Sequence, residues 1–314
     1  MSPGTGSKPT ADPRRGPVRA RWIATAIGTG VVVAFLLVVI VPRANEVGDA
    51  LHRVGPGHFL AIVALAFAAL VFRTIGWQVA VDAAGGDVHP REAHASSAVC
   101  YTVGLLNQYV GGAVRIAILR RTIPDRSPTA SQLVAAETVS LVIEAALVSL
   151  LILAASWTLG IPLYAALLIV VAGLVGVAAM VTVARRWTTP QFAAGLAVAR
   201  EPRTLAGLTA ALAATLLCQI GRVGLALSSV GLHSSLIVVI AVFVASGAAA
   251  VIPIGTAAAG ATAPLLAAAG KGGDAVANAS AAGVLLTGSL LVADLLYLAV
   301  TALLVSSLRR RHSM

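Results

Sequence analysis

Charge is what this chain has least of. Charged residues make up 11% of it and aromatic residues 4%, where a soluble globular domain carries about a quarter charged residues. That shortage leaves too little polar surface for a soluble catalytic domain beside the apolar part. Cysteine is scarce too: Cys100 and Cys218 are the two in the chain, both in apolar surroundings. They make no disulfide framework and no metal spacing, and read as small core-filling side chains. There is no Gly-Lys-Ser/Thr phosphate cradle, so ATP is not expected as the direct energy source. No Ser or Cys nucleophile with a placed His is evident, and enzyme activity is not expected. His89 and His94 stand near Asp87 and Glu92, but in a polar, solvated loop that predicts no metal. No cofactor is expected.

What is present is apolar. Hydrophobic residues reach 58% and the mean hydropathy is +0.93, which predicts an all-α polytopic membrane protein. A span needs about 20 apolar residues. The net charge of +10 does not point to nucleic acid, because the basic residues cluster at the ends of apolar runs. Lys8, Arg14, Arg15, Arg19 and Arg21 precede the first run; Arg120, Arg121 and Arg126, then Arg185, Arg186, Arg200 and Arg203, lie between runs; Arg309, Arg310 and Arg311 follow the last. This is the positive-inside pattern. It predicts both termini in the cytoplasm, of the plasma membrane, and weak contact with anionic lipid headgroups.

In order, residues 1–21 read as a disordered basic cytoplasmic tail and Trp22 to Val41 as a retained first helix. Pro42 to Gly57 reads as an outer loop and His58 to Val81 as a returning helix. Parity then forces a choice. The loops Asp82 to Ala95 and Arg120 to Ala130 both look cytoplasmic, so Ser96 to Leu119 must enter and leave on one side. Gly111-Gly112 would permit the reversal. Helices follow at Ser131 to Ala155, Leu163 to Ala184 and Thr204 to Val230. A second re-entrant hairpin, Leu236 to Ala269, is broken at Pro253-Ile254-Gly255, and a last helix runs from Ala275 to Leu308. The expectation is eight hydrophobic segments, about six full transmembrane helices plus two re-entrant hairpins. They form one domain, 22–308, of two inverted halves, 22–155 and 162–308, with a basic tail at 309–314. Glu144 and Asp294 correspond between the halves. Inverted repeats with interrupted helices are the architecture of alternating-access transporters.

Polar groups at membrane depth should face protein or water. The segment GLLNQYVGGAVRIAILRR (Gly104 to Arg121) holds Asn107, Gln108, Gly111, Gly112 and Arg115 within a short span. With Pro253 and Gly255 of the second hairpin, Arg73 and Arg222, these are the candidate headgroup-binding residues. Arg73 either snorkels to the interface, with Trp77 in the aromatic belt, or points into the bundle toward an anion. Arg115 is either a headgroup ligand or part of the interfacial cluster with Arg120 and Arg121. Glu137 and Glu144, seven residues apart, share a helix face. With Asp294, they either pair with the arginines, bind a cationic headgroup or carry protons.

Three of these stretches resemble the lysylphosphatidylglycerol synthase transmembrane region family, the flippase-like domain of multiple peptide resistance factors. LHRVGPGHFLAIVALAFAALVFRTIGWQVAVDAAG (Leu51 to Gly85) is similar to its second-helix signature, with an Arg shortly before a Trp. NQYVGGAVRIAILRR (Asn107 to Arg121) resembles its Asn, Pro-Gly, Gly, Arg motif, and PIGTAAAGATAPLLAAAG (Pro253 to Gly270) its later Pro- and Gly-rich motif. The likeness spans nearly all of the chain after residue 21. Tyr109-Val110, Ala113-Val114, Thr138 and Thr287-Gly288 depart from the family's usual residues. The soluble aminoacyl-transfer domain of the synthases is absent, so synthesis of aminoacylated lipid is not implied.

What the resemblance implies is a lipid translocase moving an anionic or modified phospholipid, or a lipid-linked precursor, between leaflets. Two other readings fit the same residues: a proton-coupled secondary transporter of a small anion or amphiphile, and a non-catalytic subunit that docks a separate lipid-modifying synthase.

Overall fold

The computed structural model describes residues 44–105, 108–159, 190–232, 234–251 and 273–312, and single positions 164, 167, 170, 171, 175, 178 and 182. These residues are helical, with short turns. We label the helices α1 (Ala44–His52), α2 (Pro56–Ala83), α3 (Pro90–Gly104), α4 (Gln108–Thr122), α5 (Ala130–Leu159), α6 (Pro190–Gly195, continued by a 3-10 turn Leu196–Ala199), α7 (Pro202–Ser229), α8 (Leu236–Val251) and α9 (Gly273–His312). Among the described residues, four helices are long and apolar enough to cross a membrane: α2, α5, α7 and α9. Their outward faces carry Leu60, Leu150, Leu217 and Leu303, each more than 60% exposed. Such faces are costly in water and fit a lipid surround.

Local chemistry sets the helix starts. Pro56, Pro90 and Pro202 each occupy the first turn of their helices, where a missing N–H costs nothing. His89 and Glu92 cap α3: the Arg91 N–H donates to His89 Nδ1 at 3.3 Å, and the His89 N–H donates to Glu92 Oε2 at 3.0 Å. Thr129 and Gln132 do the same for α5, the Thr129 N–H donating to Gln132 Oε1 at 2.8 Å. These are reciprocal caps that satisfy otherwise orphaned helix donors. At the other end, Gly85 (φ 91°) closes the turn after α2 and Gly231 (φ 80°) the turn after α7, a left-handed backbone that glycine adopts without steric cost.

The centre of the fold is the pairing of α2 with α7, the most extensive between any two helices. It depends on Gly76, where a Cβ would lie 3.3 Å from Ala211 and Leu208 of α7. Against this pair, α9 packs on α2 and α3, α5 on α2 and α7, and α8 on α7 and α5. α3 and α4 run antiparallel as a hairpin, each 15 residues or about 22 Å long, short of a full crossing of about 30 Å. Its two ends lie together: the Asp87 N–H donates to the Arg126 carbonyl at 3.2 Å, and Arg126 donates to Glu92 at 2.8 Å.

Three expectations need correction. The reversal expected at Gly111-Gly112 lies earlier, between Gly104 and Gln108, and the glycine pair is inside α4. Gly111 serves contact instead, because a Cβ there would fall 2.6 Å from the Cys100 carbonyl oxygen and 3.0 Å from Gly104. Pro42 to Gly57, expected as a loop, contains α1. Val47, Ala50, Leu51 and Val54 share one face at helical spacing and pack on Ala277, Ala281, Leu285 and Leu286 of α9. The basic stretch Arg185 to Arg203 holds α6 and its 3-10 turn, which bury Phe192 and Val198 and bring Gly195 against the Gln132 backbone. The segments Trp22 to Val41 and 252–272, with Pro253 and Gly255, lie outside the described residues, as does most of Leu163 to Ala184.

Replacing Gly111 therefore tests the hairpin contact. Gly111→Ala forces α3 and α4 apart and is expected to cost about 1–3 kcal/mol, read as a lower unfolding temperature in detergent. Gly112→Ala, with no neighbour within 4 Å, should change stability by less than about 0.5 kcal/mol.

Candidate functional site

The cleft begins on α5, an otherwise apolar helix that carries Glu137, Ser140 and Glu144 at three- and four-residue spacing. That spacing aligns them on one face. Opposite them, α2 presents Arg73 and Trp77, one turn apart, and α4 presents Arg115. Arg73, Trp77, Arg115, Glu137, Ser140 and Glu144 line one cleft together with Leu141 and Leu212.

Its electrostatics are balanced pair by pair. Arg73 Nη2 donates to Glu144 Oε2 at 3.1 Å, so Arg73 points into the bundle and not out to the interface. Arg115 Nη2 donates to Glu137 Oε2, and its guanidinium lies 4.3 Å over the Trp77 ring. Ring face and carboxylate together compensate a cation that is 5% exposed. Arg115 is thus a buried residue of the cleft, while Arg120 and Arg121 on the same helix are exposed. Trp77, which one of the two readings put in the interfacial belt, is buried with its ring face against Arg115. Each arginine engages its glutamate through one nitrogen out of a five-donor fork. Arg115 Nε is buried with no acceptor, leaving oxyanion-binding capacity unused.

A second charged pair lies elsewhere. Arg222 lies on α7 and Asp294 on α9, two helices that pack against each other, and no ion pair joins them. Arg222 Nε and Nη1 and Asp294 Oδ1 are buried without hydrogen-bond partners. Beside Asp294 on α9, Tyr297 donates to Thr74 at 2.8 Å and meets His94 Nδ1. Thr74 also meets the Tyr101 hydroxyl at 3.1 Å. This network ties α2, α3 and α9 together.

No family model, curated protein or solved structure matches the chain. The site is therefore read from its own chemistry.

Of the residues singled out in the sequence, Arg73, Arg115, Glu137 and Glu144 converge on the cleft, while Arg222 and Asp294 lie elsewhere, on α7 and α9. Gly111 and Gly112 lie in α4 next to the cleft as helix backbone. Asn107 is outside the described residues, and of Gln108 only the helical backbone is described. His89 and His94 take separate roles, one as a cap and the other as the Tyr297 partner. Ser140, Thr74, Tyr101 and Tyr297 were not anticipated. Their signal was available: Glu137, Ser140, Glu144 on α5 and Asp294, Tyr297, Thr301 on α9 repeat the same polar stripe at positions i, i+3 and i+7.

Unequal burial of the ion pairs yields a stability contrast. Glu137→Gln leaves the Arg115 cation buried and half-compensated. The cost of breaking a buried pair, reduced because Glu137 is a third exposed, is on the order of 2 kcal/mol. Glu92→Gln at the looser Arg126 pair should cost about 0–1 kcal/mol. Unfolding in detergent micelles measures both.

Proposed function

We propose that the chain is an integral membrane lipid translocase of the flippase-like kind, moving an anionic or modified phospholipid, or a lipid-linked precursor, between leaflets of the plasma membrane. The observation that carries this reading is the convergence of Arg73, Arg115, Glu137 and Glu144 from α2, α4 and α5 on one cleft, with guanidinium donors left over. A phosphate needs positive charge and several N–H donors when it leaves water, and paired arginines offer both without an uncompensated charge in the resting protein. The pairs exchange partners: a phosphate takes the arginines as the glutamates release them or accept a cationic part of the headgroup. The acyl chains stay outside, along the leucine-covered faces of the long helices.

The α3–α4 hairpin supports a re-entrant element. Each arm is too short to cross, and the two ends are bonded to each other through Asp87, Glu92 and Arg126. In that reading α2 returns to the cytoplasm, the hairpin dips back from the same side, and α5 leads out. In the second half, α7, α8 and α9 follow an order that suits an inverted copy. A proton-coupled transport mode is favoured by one observation, the parted Arg222 and Asp294 pair. The separate synthase is proposed as a partner only in the sense that a lipid made elsewhere must be delivered to the cleft.

Reconstitution tests the reading. In liposomes containing fluorescently labelled phosphatidylglycerol, the wild-type protein should redistribute label between leaflets. Arg115→Ala and Arg73→Ala should slow it at least about tenfold, the loss expected for a charge-assisted hydrogen bond, while the exposed Arg120→Ala stays near wild type. Unchanged leaflet distribution with wild-type protein, for any labelled lipid, ends the proposal. Separately, in a chain with Cys100 and Cys218 replaced, Asp87→Cys and Arg126→Cys should react with a membrane-impermeant thiol reagent from the same face. Labelling from opposite faces would rule out the re-entrant hairpin.

A further inference from the structure

The two charged pairs correspond. Arg73 on α2 and Glu144 on α5 are 71 residues apart, and Arg222 on α7 and Asp294 on α9 are 72 apart by numbering. α2 and α7 are the packed central pair. The chain therefore holds the same arrangement twice, an arginine on a central helix and a carboxylate on an outer helix packed against it. One copy is closed, with Arg73 and Glu144 at 3.1 Å. The other is open, with Arg222 Nε and Nη1 and Asp294 Oδ1 all buried and unpartnered.

Guanidinium nitrogens and a carboxylate oxygen buried on packed helices without hydrogen bonds are a costly arrangement, because these atoms have lost water and gained no partner. Two changes remove the cost. The pair can close, as its counterpart does, or a proton can neutralise the carboxyl while an anion takes the guanidinium.

We propose that Asp294 is a proton-binding site whose occupancy decides whether Arg222 is free to take the anionic headgroup. With a proton on Asp294 the carboxyl no longer competes for Arg222, and a phosphate can occupy the open donors. When the proton leaves, Asp294 draws Arg222 into a pair like that of Arg73 and Glu144, and the phosphate is released. Proton and anion thus bind together and leave together, and by linkage each tightens the other. Glu144 cannot fill this role in the structure, since Arg73 already holds it.

The neighbours of Asp294 allow it. From α7 the facing charge is Arg222. From α3, Cys100 lies within its field, and His94 and Tyr101 reach its helix through Tyr297. From α2, the uncharged Thr74 reaches α9 through the Tyr297 hydroxyl, and the α2 cation Arg73 is held by Glu144. α1, with Glu46, Asp49, His52 and Arg53, packs on the first half of α9 around Ala277 to Leu286, more than a turn away. Among these groups, Arg222 is the one cation facing the carboxyl.

The inference rests on the translocase reading for the identity of the anion, so its test has one arm that needs no lipid movement. Binding of dioctanoyl phosphatidylglycerol to the full-length protein in detergent, measured by calorimetry in buffers of different ionisation enthalpy, should be accompanied by net proton uptake. The affinity should tighten by up to about tenfold for each pH unit lowered. Asp294→Asn should lose both the uptake and the pH slope, and Asp294→Glu should restore them, separating proton binding from a folding defect. Uptake that persists in Asp294→Asn, or is missing from the wild type while lipid binds, overturns the proposal. If no lipid binds, the translocase reading fails on its own. Infrared spectroscopy then decides the proton site: a protonated-carboxyl band that titrates in the wild type and disappears in Asp294→Asn upholds it, and identical spectra overturn it.

Discussion

A guanidinium ion cannot be left among aliphatic side chains, and most of this structure follows from where α2, α4 and α7 bring such ions. Arg115 is the clearest case. It enters the bundle on α4, where lipid or leucine would surround it, and is made tolerable by an indole face beneath and a carboxylate beside it. Neither alone compensates the charge fully. Trp77 comes from α2 and Glu137 from α5, so the position of one cation fixes three helices relative to one another.

That arrangement depends on two close approaches. Gly111 lets α4 lie against the α3 backbone, turning Arg115 inward, while Gly76 lets α7 press on α2 beside Trp77. A side chain at Gly111 would push the helices apart, and one at Gly76 would shift its neighbours by tenths of an ångström, enough to strain hydrogen bonds of defined length. The small residues thus act on the charged site through helix spacing, which is the usual way for tightly packed apolar helices to position polar groups.

The long helices were legible because their apolar runs have span length and end at Pro, Gly or reciprocal caps. α2, α5, α7 and α9 stand within a few residues of their sequence-based bounds. The convergence of Glu137 and Glu144 was legible too, since a seven-residue spacing has one geometric meaning on a helix. What sequence could not give was contact between distant segments. Arg73 reads equally as a snorkelling or an inward residue, because both rotamers leave the same helix pattern; only the nearness of Glu144 decides. Gly111-Gly112 was misassigned for a related reason, as glycine permits both a turn and a close contact, and here it serves contact. α1 and α6 were hidden in stretches whose mixed charge outweighed short amphipathic faces.

In the proposed translocase, the Arg73–Glu144 and Arg222–Asp294 pairs bear on transport through their difference. Were both closed, neither Arg73 nor Arg222 would offer a free guanidinium, and an anion could bind only by displacing a carboxylate. Were both open, four buried ions would lack hydrogen bonds at once, a cost few helical bundles could carry. One closed and one open keeps most of the charge compensated while leaving one guanidinium available. If the halves exchange these states, the available arginine moves from one side of the α2 and α7 centre to the other, and a headgroup bound to it is handed between pairs without an uncompensated charge entering the apolar interior.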